Sequence, residues 1–222
     1  MHTDELTTPS TQLLLATLQA SPSLHAHVHR LELIWTEAEE PEEIAKLFNL
    51  AATLQGLVVK DDTAYTSSGI ANPLSRASKV VFPHLRLLDA PFCPSSPQQA
   101  SRFPRLKTLT RTYITFKSLA RDPPAGLTHL TLRSPSCSYT APAPSLERLK
   151  WLITPSLSTL SSLSFPFDSP LIPDGVLSTL PALTDLTFTH SFRLHPDPPS
   201  EPLPALPATL TSLSLLAPPP TP

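Results

Sequence analysis

An α/β chain of repeated units, coiled so that a curved parallel sheet lines one side, is the fold the sequence predicts. Three observations predict it. First, one phrase keeps returning: an apolar residue, two others, Leu, one other, an apolar residue. It is spelled by Leu127, Leu130, Leu132, by Leu160, Leu163, Phe165 and by Leu183, Leu186, Phe188. Second, the phrases starting at 85, 106, 127 and 146 are spaced 21, 21 and 19 residues apart, close to the roughly 20–29 residues of a leucine-rich repeat. Third, Pro83, Pro104, Pro124, Pro144, Pro181 and Pro207 each stand just before a phrase, where a residue without a backbone donor can enter a strand but not interrupt it. Together they read as a leucine-rich-repeat solenoid, with the sheet on the concave side and short helices and irregular loops on the convex side.

A single unit of this kind cannot bury its own leucines. Ordering each backbone residue costs about 1–2 kcal/mol, and full burial of a Leu returns roughly 1.5–3 kcal/mol. Stacked neighbours close the leucine columns into one core.

In chain order, residues 1–10 read as disordered. Ser10 is placed to cap a helix over 11–20 whose apolar stripe is Leu14, Leu15 and Leu18. Pro22 ends it. Val28, Leu31 and Leu33 predict the first strand over 29–35. Glu37–Glu43 reads as an acidic loop, and Pro41 with Ile44, Leu47, Phe48 and Ala51 predicts a helix over about 42–53. Leu54, Leu57 and Val59 give the second strand. Residues 61–80 have no period and read as a long loop. Leu85, Leu88, Ala90 and then Leu106, Leu109 resume the array.

The step from the phrase at Leu146, Leu149, Trp151 to the one at Leu160 is only 14 residues. That repeat is truncated, or one of the two phrases is not a strand. Asp174 is placed to cap a short helix to Leu180, and the last phrases start at 183 and 210. The array thus runs over 11–217, with a Pro-rich tail at 218–222. A ladder of small polar residues eight positions after each first Leu falls on Asp62, Cys93, Ile114, Pro135, Thr154, Asp168 and Ser191, five of which can hydrogen-bond.

Composition narrows the function classes. The four glycines, Gly56, Gly69, Gly126 and Gly175, are scattered, which argues against phosphate-cradling and dinucleotide-binding loops. Net charge is -2, yet residues 63–155 carry 12 basic and 3 acidic side chains between acidic ends. Cys93 and Cys137 form no disulfide framework and read as core-lining thiols. The amino terminus has no signal-peptide pattern, and no apolar run approaches a membrane span; an intracellular, cytoplasmic or nuclear location is expected.

The segment from Leu13 to Leu24, followed by Val28-His29-Arg30-Leu31-Glu32-Leu33, and the phrases Phe-Pro-x-Leu at 82 and 103 and Leu-Pro-Ala-Leu at 180 resemble the leucine-rich-repeat region of fungal F-box/leucine-rich-repeat proteins. The resemblance covers residues 11–217. It implies the substrate-recognition half of a cullin-type ubiquitin ligase receptor. Only ten residues precede Thr11, so the F-box, and with it adaptor binding, is not part of the resemblance.

Strand alternation turns the residues beside each leucine toward the other face. On the expected concave face these include Thr108, Thr110, His129, Thr131, Arg133, Arg148, Lys150, Asp185 and Thr187, with His129, Arg133, Arg148 and Lys150 as a basic patch suited to an acidic peptide segment. No nucleophile–base–orienter set appears, so no enzyme activity and no cofactor are expected. His25, His27 and His29 share one side of an extended strand but lack a completing ligand, so no metal is expected. The basic band 76–150 offers an alternative, a nucleic-acid-associated protein, although it has no readout motif. Pro196–Pro207 fits a polyproline ligand only at the level of composition.

Overall fold

The computed structural model describes residues 8–35, 41–50, 53–61, 82–89, 103–112, 125–133, 150, 152–166, 176–189 and 205–216. Its helices are α1 (Thr8–Ala20) and α2 (Pro41–Leu50). Its strands are β1 (Arg30–Trp35), β2 (Gly56–Asp61), β3 (Leu87–Asp89), β4 (Thr108–Thr112), β5 (His129–Arg133), β6 (Ser162–Pro166), β7 (Asp185–Thr189) and β8 (Ser212–Leu216). All eight form one sheet in chain order, and every neighbouring pair is parallel.

The register explains the repeated phrase. Leu31, Leu57, Leu88, Leu109, Leu130, Leu163, Leu186 and Leu213 stand side by side, one per strand. The first seven are buried and belong to one continuous core. Two residues further on, Leu33 and Val59 open a second buried row that Leu132, Phe165 and Phe188 take up in the later strands. The Phe165 and Phe188 rings meet edge to face at 5.1 Å, an arrangement favoured by the ring quadrupoles.

The prolines make the corners. Leu85 N–H donates to Phe82 C=O, Leu106 to Phe103 and Leu183 to Leu180. Each closes a four-residue turn with Pro at its second position, where the fixed φ of proline is already correct. Phe82 and Phe103 hold these corners against the core, stacked at 5.4 Å, and Phe48 of α2 meets Phe82 edge on at 5.9 Å.

A hydrogen-bonded spine runs along the strand entries. His29 C=O accepts from both Gln55 and Gly56 N–H, and the arrangement repeats at Gln55, Arg86, Lys107, Thr128, Ser161 and Thr184. From Thr128 onward hydroxyls reinforce it: Thr128 reaches Lys107 C=O, Ser161 reaches Thr128, Thr184 reaches Ser161 and Thr211 reaches Thr184, all at 3.1–3.2 Å.

Several expectations need correction. α1 starts at Thr8, so residues 8–10 are helical and Ser10 lies inside the helix rather than capping it. α2 opens at Pro41 as expected, so the acidic loop does not reach Glu43, and the helix ends at Leu50 rather than near 53. The expected helix near 174–180 is a 3-10 turn, Leu177–Thr179, in which Val176 at the N-cap makes no side-chain bond. β5 pairs directly with β6, so Leu160-Leu163-Phe165 is the strand phrase. Lys150, Leu152 and Ile153 are helical instead, continuing into the 3-10 turn Thr154–Ser156. Leu152 and Ile153 are buried there.

Leu146, Leu149, Trp151, the loop 61–80 beyond Asp61, Cys93, Cys137, Asp174 and the tail 218–222 lie outside the described residues. So does every expected polar-ladder position except Thr154, whose hydroxyl donates to Lys150 C=O within its own helical turn.

Candidate binding face

The face opposite the leucines is built by the same alternation. Directly after the leucine row, β4 to β8 present Thr110, Thr131, Ser164, Thr187 and Ser214 in one line. Directly before it stand Thr108, His129, Ser162, Asp185 and Ser212. A β-branched or small hydroxyl residue suits a pleated surface and leaves a donor and an acceptor for a partner. Neighbouring parallel strands lie about 4.8 Å apart, so the hydroxyls form a regular band.

Thr110 is buried, Thr108, Thr131, Ser162, Ser164 and Thr187 are half-buried, and His129 and Asp185 are exposed. The band is thus a recessed polar strip, with the two ionisable groups standing proud of it. His129 Nδ1 lies 2.8 Å from Thr128 Oγ1, and Thr184 Oγ1 donates to Asp185 Oδ2 at 2.7 Å. The Thr184 hydroxyl has one proton and two acceptors in reach, Asp185 and Ser161 C=O. It donates to one of them at a time, so the spine and the face share this proton. The spine and the face are therefore coupled at the entry of β7.

Of the residues expected to form the site, Thr108, Thr110, His129, Thr131, Asp185 and Thr187 share this face. Arg133 ends β5 in register with Thr112. Arg148 lies outside the described residues. Lys150 is exposed but helical, so it does not join His129 on a strand, and the expected basic patch is not assembled as expected. Ser162 and Ser164 take the places next to His129 and Thr131. The replacement follows from the pairing of β5 with β6, a strand rich in serine.

Two further cations stand at the strand entries. Arg86 and Lys107 immediately precede β3 and β4, both exposed, and Lys107 Nζ donates to Gly126 C=O at 3.1 Å. His25 Nε2 lies 2.8 Å from Leu18 C=O at the end of α1, while His27 and His29 are exposed. Among the described residues no group of three or more His, Cys, Asp or Glu is placed to hold a metal, and no described helix is long and apolar enough to cross a membrane. In comparisons with known proteins, no family model, no curated protein and no solved structure matches the chain.

The hydroxyls of the spine were not expected from the sequence. Their signal is the pair Leu-Thr or Leu-Ser that opens each later unit: Leu127-Thr128, Leu160-Ser161, Leu183-Thr184 and Leu210-Thr211.

Proposed function

We propose that the chain is a leucine-rich-repeat solenoid that acts as a non-catalytic protein-binding scaffold, the substrate-recognition part of an F-box-type ubiquitin ligase receptor. The observation that carries the reading is the row Thr110, Thr131, Ser164, Thr187, Ser214 on the sheet face opposite a leucine in every strand. A run of small side chains with evenly spaced donors and acceptors accepts an extended polypeptide laid across the strands. Backbone groups of such a segment find partners at each step, and few long side chains must be ordered on the receptor side. His129 and Arg133 on β5 favour an acidic segment there, and Asp185 on β7 favours a basic residue two strands on.

The reading is tested by titrating the purified chain with peptides of mixed and matched charge while following backbone amide signals by NMR. Shifts confined to β4–β7, weakened at least tenfold by Thr131→Lys with the fold intact, support it. Shifts scattered over the surface, or binding unchanged by Thr131→Lys, contradict it. Retention on RNA that falls steeply with salt would favour the nucleic-acid reading instead. Mixing with a purified F-box adaptor tests ligase membership separately.

A further inference from the structure

At the strand entries four hydroxyls, those of Thr128, Ser161, Thr184 and Thr211, reach back to a carbonyl of the preceding unit. Two of them have a second partner. Thr128 Oγ1 lies 2.8 Å from His129 Nδ1, and Thr184 Oγ1 lies 2.7 Å from Asp185 Oδ2. Ser161 and Thr211 are followed by Ser162 and Ser212, so the double role falls where the next residue ionises. The carbonyls concerned are already served. Lys107 C=O accepts the N–H of Thr128 at 2.8 Å and of His129 at 3.0 Å, and Ser161 C=O accepts those of Thr184 and Asp185, both at 2.9 Å. A carbonyl oxygen has two lone pairs, so each hydroxyl is a third donor, at 3.2 and 3.1 Å. Lending its proton to the face leaves the N–H bonds of the spine intact.

We infer that Thr128 and Thr184 are positioning residues for the binding face, an inference that rests on the reading of that face as a recognition surface. Thr128 holds His129 by Nδ1, which leaves Nε2, on the far side of the ring, for a partner. Thr184 holds Asp185 by Oδ2 and leaves Oδ1. Neutral His129 takes the Thr128 proton at Nδ1 and so carries its own at Nε2. When the ring gains a second proton, Nδ1–H donates to Thr128 Oγ1, and the hydroxyl turns its own proton to Lys107 C=O, which it already reaches. The ring keeps one placement in both charge states, and Nε2–H is a donor in both.

The chemistry of the partner follows. Opposite Nε2–H stands an acceptor, and opposite Asp185 Oδ1 a donor. Ser162 lies between the two in register, so they are two strand spacings, about 10 Å, apart. An extended polypeptide laid across the strands meets both with an acidic side chain over β5 and a basic one over β7. Among the described residues the strand neighbours bring no competing charge: Thr108 and Ser162 flank His129, and Ser162 and Ser212 flank Asp185. Lys107, at the entry of β4, turns its Nζ to Gly126 C=O.

The test is long-range proton–nitrogen NMR of the labelled full chain, which reads which nitrogen of the neutral His129 ring carries the proton. Nε2–H should exceed Nδ1–H at least tenfold. Thr128→Val keeps the branched shape, removes the hydroxyl and should lower that ratio at least threefold, whereas Thr128→Ser should keep it. Ser161→Ala is the control for a structural role alone. It removes a spine hydroxyl bonded to Thr128 C=O and should leave the ratio unchanged. Thr184→Val should likewise move the side-chain carboxyl signal of Asp185, and Ser161→Ala should not. Each variant is read with its circular dichroism matching that of the parent. An excess of Nδ1–H, a ratio unmoved by Thr128→Val, or equal effects of Thr128→Val and Ser161→Ala would overturn the inference. The spectra need no partner, so a face that binds no peptide would sink the recognition reading while the spectra still decide the hydrogen bonds.

Discussion

Ser156 is buried at 1% exposure, and its Oγ accepts the N–H of Leu127 at 3.0 Å. Leu127 itself is fully buried, so no water can take over that donor. Ser156→Ala should therefore cost about 1–3 kcal/mol, read as a lower urea midpoint with an unchanged slope. A shift within experimental error would mean that the turn Thr154–Ser156 does not seat on the entry of β5. Nothing in the sequence marks this serine out among so many others, because its partner lies 29 residues away. Gly126 next to it is different. Its φ of +70° is a conformation that favours glycine, and a scarce glycine just before a leucine phrase is a visible signal.

At the scale of elements, the leucine row and the strands were legible because one residue type occupies one register position in every strand. Burial, not the letter, decides what each leucine contributes. Leu186→Ala, in the strand next to β8 and fully buried, should cost about 2–5 kcal/mol, the usual range for a buried leucine. Leu213→Ala, at the same position of β8 but 45% exposed, should cost less than half as much. Equal losses would contradict the different packing of the two strands. Beside the phrase at 146–151, Leu152 and Ile153 reach the core from a helical turn, which buries apolar residues as well as a strand does. The 33-residue step from Thr128 to Ser161, against 21 from Lys107 to Thr128, is the room that the extra turn occupies. The candidate site changed with it: a basic patch was expected on this face, but Lys150, one of its four cations, is helical.

Across the whole molecule the strands meet only their sequence neighbours in the sheet, so each unit is held by the one before and the one after. Such a sheet positions a long face, on which the proposed recognition of an extended partner rests. All of this depends on the parallel register, most of all between β5 and β6. Nuclear Overhauser contacts in an isotope-labelled sample test that register most directly. The account predicts contacts linking Leu130 with Leu163 and His129 with Ser162, and no short Hα–Hα contacts between these strands. Close Hα–Hα pairs, the mark of antiparallel strands, or contacts from Leu130 to Leu149 in place of Leu163, would contradict it.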